Sequence, residues 1–265
     1  MRLVGTLLLV LLAGCRTGRN YTDSQGPRYA GGPVEAPQPP ADTTRIKVVS
    51  FNVEFSMQVD SAIMLLANDP ALRDASVLLL QEMNEAATQR IAEALGLWYV
   101  YYPAIYHFRT RQLIGNAVLS SWPIVEDGKI ILPHVARFAG TQRTATAATI
   151  RVGSQRVRVY STHLGTPGGT GGGARRNQLR AILADAARYE RVILGGDMNE
   201  ASVGKIAREM GYSWPTEHGP PTSVLGRIDH IFLKGLSSPD SSAAGAVSDV
   251  GDISDHLPVW AIAIL

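Results

Sequence analysis

The sequence predicts an α/β fold in which two β-sheets pack face to face and helices cover their outer sides. Strand-like apolar segments alternate with helix-like segments along most of the 265-residue chain. The strand-like segments outnumber the helices, and most of them are not joined by the helical crossovers of a simple parallel sheet. With 45% apolar and 18% charged residues, the chain has an ordinary globular composition and is long enough for one large domain or two small ones.

Hydrophobic spacing and β-propensity place the individual elements in order. Runs rich in apolar and β-branched residues predict strands over residues 46–53, 76–83, 97–102, 114–120, 144–151, 156–162, 191–195, 227–234 and 257–264. Helix-like segments cover residues 60–67, 85–95 and 174–190. In the last of these, one helical face carries the apolar residues Ala174, Leu179, Ile182, Leu183 and Ala186.

The first 14 residues have the features of a secretory signal peptide. The apolar run from Leu3 to Ala13 is shorter than the roughly 20 residues that span a bilayer. The following residues, Leu-Ala-Gly-Cys, resemble the lipobox of bacterial lipoproteins, in which the cysteine receives lipid after cleavage. The alternative is an ordinary signal peptide with a chance cysteine, but Cys15 is the only cysteine and occupies the position that the lipobox requires.

Residues 15–44 are predicted to tether a domain of residues 45–265 to the membrane. After Cys15 this segment contains five prolines and four glycines and has almost no apolar periodicity. Fully extended, it could reach roughly 100 Å. We expect a monomer that is anchored by lipid in the cell envelope. Arg16 occupies the position where an aspartate would favour the inner membrane, so the expected location is the outer membrane.

Polar side chains lie at the ends of successive strands. The stretch LGGDMNE, residues 194–200, presents Asp197 and Asn199 after an apolar run and two glycines. Taken alone, it is more typical of an Asx turn, in which both side chains cap their own backbone. Other strand ends carry Asn52, Glu82, His163, Asp229, Asp255 and His256. Because polar groups gathered at one edge of a packed sheet make a site, the whole set predicts one.

The chain resembles the endonuclease/exonuclease/phosphatase superfamily, which includes DNase I. The resemblance is carried by the ordered motifs FNV, QE, GNAVLS, THL, GDMN, IDHI and SDHLPV. Each motif alone is weak, but the ordered set is specific and extends from Ile46 to the C-terminus. It implies a DNase I-like, four-layer α/β sandwich and metal-dependent hydrolysis of phosphoesters.

The resemblance also implies a metal site and a general base. Glu82 is expected to be the main metal ligand, and Asn52 and Asp255 would complete the oxygen shell directly or through water. Oxygen ligands of this kind suit Mg²⁺ or Mn²⁺, with Ca²⁺ as a further option. His256 would be the general base, and Asp229 would fix its tautomer.

Further residues are expected to handle the water and the phosphate. Asp197 would position or deprotonate the attacking water, and Asn199 would hold the phosphate. Asn116 and Arg143 match the family in place and type. Arg143 could pair with a phosphate oxygen, although a solvated arginine on a strand is an equal alternative.

His163 departs from the DNase I pattern in its surroundings. It is expected to contact a phosphate oxygen, and it could protonate the leaving group as a general acid. For the second role the family pairs this histidine with a glutamate from the middle of the chain, and residues 99–120 contain no acid. The glycine-rich stretch after it leads to Arg175 and Arg176 at a helix start, where they either touch substrate or form a solvated face.

Three functions are compatible with these features. The first is a metal-dependent phosphodiesterase or nuclease in the cell envelope, acting on a phosphoester substrate such as nucleic acid. The second is an enzyme of lipid or inositol phosphates, which would act on a phospholipid headgroup and would need an apolar loop that enters a membrane. The third is a non-catalytic binding module. A net charge of +2 gives no overall electrostatic case for nucleic acid, and loops such as 104–112 and 166–176 are expected to set the substrate.

Overall fold

The computed structural model describes residues 19–33 and 40–265. Its strands are β1 (Arg19–Asn20), β2 (Tyr29–Gly31), β3 (Arg45–Asn52), β4 (Val77–Met83), β5 (Trp98–His107), β6 (Gln112–Ser120), β7 (Ile124–Val135), β8 (Gln142–Val152), β9 (Gln155–His163), β10 (Val192–Asp197), β11 (Asp229–Lys234), β12 (Ala244–Ala246) and β13 (Val259–Ile264). Its α-helices are α1 (Val59–Asn68), α2 (Glu85–Leu95), α3 (Gly172–Ala186) and α4 (Gly204–Glu209).

The strands form two mixed sheets. The first has the order β1, β5, β6, β4, β3, β13, β12, and β2 also pairs with β5. The second has the order β11, β10, β9, β8, β7. Within the described residues, β3 and β4 are parallel, as are β9 and β10, and the other pairs are antiparallel. Polar residues that end the parallel strands therefore meet at one edge of each sheet.

Apolar side chains fill three layers between the two sheets and the helices. Val48 and Leu79 lie in the core between the sheets. Val49 faces the opposite way and packs with the buried side chains of α1 and α2. On the far side, Leu194 packs with Leu183 of α3. Successive strand side chains point to opposite faces, so the central strands are buried on both sides. The predicted four-layer α/β sandwich is confirmed.

The structure contains elements that the hydrophobic pattern does not predict. The longest is β7, whose sequence IVEDGKIILPHV contains charged residues, a glycine and a proline. It is the outer strand of its sheet and is half-exposed, so it lacks the apolar run of a central strand. The segment 104–112, expected to be a loop, is mostly strand: β5 and β6 form a hairpin whose turn is residues 108–111.

The predicted tether differs from the structure at residues 19–33. This stretch, here called the N-terminal strap, pairs with the outer strand β5 through β1 and β2. Extended backbone needs no apolar periodicity to pair with an unprotected strand edge, so composition alone misses it. Only residues 16–18 separate Cys15 from β1. Cys15 itself and residues 34–39 lie outside the described residues.

The N-terminal strap also reaches the second sheet. Arg28 forms a bidentate ion pair with Asp127 of β7, at 2.7 and 2.6 Å. Lys129 of β7 donates from its ammonium to the carbonyl oxygens of Tyr21 and Gly26, at 2.9 and 2.7 Å. Burial lowers the pKa of Lys129 to about 8. The strap thus bridges the two sheets through polar contacts. None of the helices in the described part of the chain is long and apolar enough to span a bilayer.

The two glycines of LGGDMNE are required by close packing. A Cβ on Gly195 would lie 2.7 Å from Leu79 of the facing sheet. Gly196 has a φ of 148°, and a Cβ there would lie 1.9 Å from the carbonyl oxygen of Thr162 on β9. The glycines therefore let the end of β10 lie against its neighbours, and they position the aspartate that follows.

Gly196→Ala is expected to lower the free energy of unfolding by at least about 2 kcal/mol, because the side chain meets the Thr162 carbonyl and φ is unfavourable. Chemical denaturation measures the change. Gly168→Ala is the matched control, since a Cβ there meets nothing within 4 Å, and it should shift stability by less than about 0.5 kcal/mol. Equal stability of the two variants would contradict this account of the turn.

Candidate active site

The candidate site lies where strand ends of the two sheets meet. Asn52 ends β3, His163 ends β9 and Asp197 ends β10. The register pairs Asp197 with His163 on one side and with Asp229 on the other. The remaining predicted residues come from β4, β6, β8, the turn after β10 and the loop before β13. The structure therefore brings strand-end residues from both sheets into one cleft.

Glu82 owes its position to an irregularity in β4. The pairing of β4 with β6 shifts register between Leu80 and Met83, and Glu82 between them has a φ of 57°. A non-glycine residue held in this left-handed region costs roughly 1–3 kcal/mol and is found mainly at functional sites. Glu82 Oε2 accepts a hydrogen bond from the backbone N–H of Phe55 at 3.2 Å. Burial raises the pKa of Glu82, and the nearby charge of Arg143 opposes that shift.

Asp197 lies at the centre of the site. Its Oδ2 accepts a hydrogen bond from the Asn52 amide at 3.3 Å. The same oxygen is 3.1 Å from His163 Nε2, although without hydrogen-bond geometry, and 3.7 Å from His256 Nε2. Burial and the charge of Asp229 raise the pKa of Asp197 to about 7. A carboxyl with that pKa can accept or release a proton near neutral pH.

His256 and Asp229 form a buried hydrogen-bonded pair. His256 Nδ1 lies 2.9 Å from Asp229 Oδ2, and the same oxygen accepts a hydrogen bond from the Thr222 hydroxyl at 2.6 Å. Burial alone would lower the pKa of His256, but the hydrogen bond and the charge of Asp229 raise it to about 9. With Nδ1 engaged, Nε2 is the nitrogen turned towards Asp197. This is the arrangement of a histidine base oriented by a carboxylate.

Two supporting residues of this pair were not found in the sequence. Thr222 accepts hydrogen bonds from the backbone N–H groups of Ile228 and Asp229, at 3.1 and 3.2 Å. Ser254 donates to the carbonyl of Asn52 at 2.7 Å and accepts from the N–H of His256 at 3.1 Å. Both lie in loops without periodicity. The serine directly before the Asp-His pair is the only cue that sequence reasoning could have used.

A carboxylate from β4 lies near His163, although residues 99–120 contain no acid. Glu82 Oε1 is 3.6 Å from His163 Nδ1, which is beyond hydrogen-bond distance. Burial, together with the positive charges of Arg143 and His256, lowers the pKa of His163 well below its usual value. The ring is therefore neutral at pH 7. A neutral imidazole can still donate or accept a hydrogen bond at a phosphate oxygen.

Arg143 and Asn116 line the cleft beside Glu82 and His163. Among the described residues, Arg143 makes no hydrogen bond or salt bridge, so its guanidinium remains available for an anion. Asn116 donates one amide hydrogen to the carbonyl of Thr144 at 2.8 Å. Arg143 also borders a second cleft of about 210 Å³, which is lined by Phe138, Gly165, Thr166 and residues 168–170.

Asn199 is engaged in the turn that the sequence suggested. Its backbone N–H donates to Asp197 Oδ1 at 2.9 Å, and its amide donates to the carbonyl of Leu164 at 3.2 Å. The Asx turn and the site location therefore coexist in this stretch. Arg175 and Arg176 instead pair with Glu200, at 2.9 and 3.4 Å. These ion pairs tie the start of α3 to the residue after Asn199.

The acidic residues of the site exceed its permanent cations. Asp255 lies at the mouth, 65% exposed, with Oδ1 4.0 Å from His256 Nε2. Asp197, Asp229 and His256 offer ligand atoms within 4.8 Å of one another, as a metal ion would require. In the described residues, Asp229 Oδ1 is buried and has no hydrogen-bond partner. A divalent cation would balance this excess of negative charge.

Comparison with known proteins agrees with the strand order and the motifs. The model of the endonuclease/exonuclease/phosphatase family matches residues 49–256. The chain belongs to this family. No curated protein sequence matches it. Enzymes of the endonuclease/exonuclease/phosphatase family are phosphoester hydrolases, which agrees with a cleft that combines a buried histidine–aspartate pair with an available arginine.

Solved structures of the endonuclease/exonuclease/phosphatase fold resemble this chain at low identity. D. rerio TDP2, complexed with single-strand DNA product, has a TM-score of 0.64 at 17% identity, covering 83% of this chain and 99% of that chain. The human nocturnin catalytic domain with bound sulfate has a TM-score of 0.61 at 18% identity, covering 86% and 99%. The Bacteroides thetaiotaomicron VPI-5482 mannosyl-6-phosphatase has a TM-score of 0.61 at 16% identity, covering 83% and 100%. At these identities the likeness shows the fold alone.

Proposed function

We propose that this protein is a divalent-metal-dependent phosphodiesterase that cleaves a P–O bond by attack of water. The observation that carries the proposal is the buried His256–Asp229 pair, whose free Nε2 faces Asp197 at 3.7 Å. A histidine that only packs in the core needs no carboxylate bonded to Nδ1 and no second carboxylate near Nε2. A base that activates water benefits from both.

Proton transfer in the proposed reaction runs through His256. Its neutral Nε2 takes a proton from water, and the Asp229 carboxylate stabilises the imidazolium that forms. Asp197 Oδ2 lies beside that nitrogen, so it can accept a hydrogen bond from the same water and orient its lone pair. The Asn52 amide holds Asp197 in place at 3.3 Å. These contacts align base and water before the phosphate is attacked.

Glu82, with Asn52 and Asp255, is proposed to hold the metal. The Glu82 side chain is 15% exposed and forms no salt bridge with any lysine or arginine among the described residues, and partial burial raises its pKa. Such a carboxylate is an oxygen ligand that a hard cation would stabilise, which fits Mg²⁺ or Mn²⁺. When bound, the cation would neutralise charge that develops on the phosphoryl oxygens. The group Asp197, Asp229 and His256 fits less well, because a metal there would compete with the His256–Asp229 hydrogen bond.

The phosphate is proposed to lie against Arg143, His163 and Asn116, with Asn199 at the turn beside them. Arg143 supplies the permanent charge, and neutral His163 supplies a hydrogen bond. A phosphodiester carries one negative charge, which the one positive charge of Arg143 matches. Assays with DNA, RNA, sphingomyelin, inositol phosphates and a bis-aryl phosphodiester test the proposal. Absence of hydrolysis across this panel, with metal present, would favour a non-catalytic binding module.

Nucleic acid is one substrate class that a phosphodiesterase would take, and one structural neighbour motivates it. TDP2 from D. rerio was solved with a single-strand DNA product.

We also propose that Cys15 carries lipid and holds the enzyme in the cell envelope, at the outer membrane. The motivation is the Leu-Ala-Gly-Cys sequence at residues 12–15. Membrane fractionation of Cys15→Ser tests it, since unchanged membrane association would rule out lipid as the anchor.

Arg143→Met is expected to lower kcat/KM by roughly 10- to 150-fold, the range for losing a hydrogen bond to a charged group. The change keeps an unbranched aliphatic stem and removes the donors and the charge. Steady-state kinetics on the bis-aryl phosphodiester measure it. Arg151→Met is the matched control, because Arg151 lies on the same strand and is exposed. If kcat/KM were the same for both variants, Arg143 would be a solvated residue that does not contact the phosphate.

A further inference from the structure

The mouth of the site is rimmed by exposed apolar side chains. Phe108, in the turn between β5 and β6, is 57% exposed, and Phe138, in the turn between β7 and β8, is 78% exposed. Val224 and Leu225 are exposed in the loop after Thr222, which contacts Asp229. Large apolar side chains exposed together at one end of a protein mark an interaction surface. We call Phe108, Phe138 and their flanking arginines the aromatic rim.

Phe138 lines a cleft beside the site, and Phe108 lies at the tip of the β5–β6 hairpin, whose strands line the site at Ile105 and Ile114. Phe138 lines the cleft that Arg143 borders. Phe108 follows His107, whose ring stacks on Phe55 with centroids 4.6 Å apart. The backbone N–H of Phe55 in turn binds Glu82 at 3.2 Å. Whatever covers the aromatic rim therefore also faces the entrance of the site.

Exposed arginines accompany the apolar tips. Arg109 and Arg111 share the turn with Phe108, and Arg137 directly precedes Phe138. In the described residues, none of the three forms a salt bridge. Exposed aromatic rings interleaved with arginines suit the interface of a bilayer with anionic headgroups, where the rings enter the interfacial layer and the arginines pair with phosphates.

The N-terminal strap places the start of the described chain at the same rim. Arg19 pairs with Tyr106, two residues before Phe108. Asn20 donates to the carbonyl of Gly140 at 2.8 Å and accepts from the N–H of Gln142 at 2.9 Å, so it also holds the turn of Phe138. Cys15 is four residues before Arg19, which spans at most about 14 Å. A lipid on Cys15 would therefore be inserted close to the aromatic rim.

We infer that the aromatic rim docks on an anionic phospholipid surface, with the mouth of the site facing that surface. The inference goes beyond the proposed reaction and does not depend on it, but it rests in part on the proposed lipid at Cys15. Charge complementarity and the short distance to Cys15 both favour a bilayer as the partner. Because the apolar tips come from separate turns, no single long apolar loop is needed, and the sequence pattern does not reveal the surface.

The test uses the full chain with Cys15→Ser, so that an introduced cysteine is the only thiol. Phe138→Cys carries an environment-sensitive fluorophore in one sample. Met64→Cys carries it in the control, because Met64 is 63% exposed on α1, a helix on the outer side of the first sheet. Iodide in water and nitroxide lipids in the bilayer quench the fluorophore from opposite sides. Vesicles are phosphatidylcholine alone or mixed with phosphatidylglycerol.

With phosphatidylglycerol vesicles, we expect several-fold weaker iodide quenching and stronger nitroxide quenching at position 138, and no change at position 64. Replacing Arg109, Arg111 and Arg137 together by glutamine should abolish the effect. The inference would be overturned if vesicles changed iodide quenching at neither position, or lowered it equally at positions 138 and 64. It would also be overturned if phosphatidylcholine vesicles alone lowered the quenching at position 138 as much as the mixed vesicles do. Hydrolysis of the bis-aryl phosphodiester without vesicles is measured in parallel, so failure of the reaction and failure of docking are distinguished.

Discussion

His256→Ala is expected to lower kcat by roughly 10²–10⁴-fold, the usual effect of losing general acid–base catalysis. The reason is the position of Nε2, which faces Asp197 while Nδ1 is held by Asp229 at 2.9 Å. Steady-state kinetics on the bis-aryl phosphodiester give the change, and circular dichroism gives the fraction folded. His218→Ala is the control, because the His218 side chain is 91% exposed.

Asp229→Asn tests whether the two residues act as one unit. It removes the charge that stabilises the imidazolium and permits the wrong tautomer, so kcat should also fall. The losses should not add, and the double variant should be about as slow as His256→Ala alone. If His256 only packs before the last strand, His256→Ala would lower Tm and leave turnover per folded molecule intact.

The pH profile supplies a second readout of the same pair. The base must be neutral, and the pKa of His256 is raised to about 9, so the active fraction falls about tenfold for each pH unit below that value. Activity should therefore rise with pH up to about 9 and then level. Asp229→Asn removes the main cause of the raised pKa, so the acid limb should move to lower pH. If the acid limb stays at the same pH in Asp229→Asn, then Asp229 does not set the pKa of the base.

Removal of divalent metal is expected to abolish hydrolysis, and Mg²⁺ or Mn²⁺ should restore it. The fall should be larger than for any single side chain, because the cation would neutralise charge at the reacting phosphate. Glu82→Gln keeps the shape of the side chain and removes its charge, so the metal concentration for half-maximal activity should rise sharply. Full turnover in excess chelator would rule out metal dependence.

Direct binding separates a metal ligand from a residue needed for another reason. Titration calorimetry with Mn²⁺ should show binding to the native chain and much weaker binding to Glu82→Gln. Glu190→Gln is the control, because the Glu190 side chain is 79% exposed and lies away from the cleft. Unchanged Mn²⁺ affinity in Glu82→Gln would show that Glu82 is not a ligand and would favour the group of Asp197, Asp229 and His256 as the metal site.

Sequence reasoning predicted the central strands because they are buried on both faces. Val48 and Val49 face different layers, so both are apolar and the strand reads as a continuous run. Their polar ends are equally visible, which is why the site residues could be named before their geometry was known. The outer strand β7 and the N-terminal strap were not predicted, because pairing at a sheet edge uses backbone groups that every residue carries.

The partner of His163 shows a second limit of sequence reasoning. A search by position found no acid in residues 99–120. The structure supplies Glu82, which reaches His163 at 3.6 Å because the register shift in β4 and its φ of 57° turn the side chain into the cleft. Apolar periodicity does not encode such a shift. A residue that was assigned one role from its motif therefore also lies beside a second residue of the site.

The N-terminal strap determines where the chain can be shortened. The sequence places the start of the domain at residue 45, but a truncation there would remove β1 and β2. The edge of β5 would then have unpaired N–H and C=O groups, which are a template for aggregation. Asp127 would lose its ion pair with Arg28, and the Lys129 ammonium would lose both of its carbonyl acceptors. The smallest independently folding fragment is thus expected to begin before Arg19 rather than at the end of the proline-rich stretch.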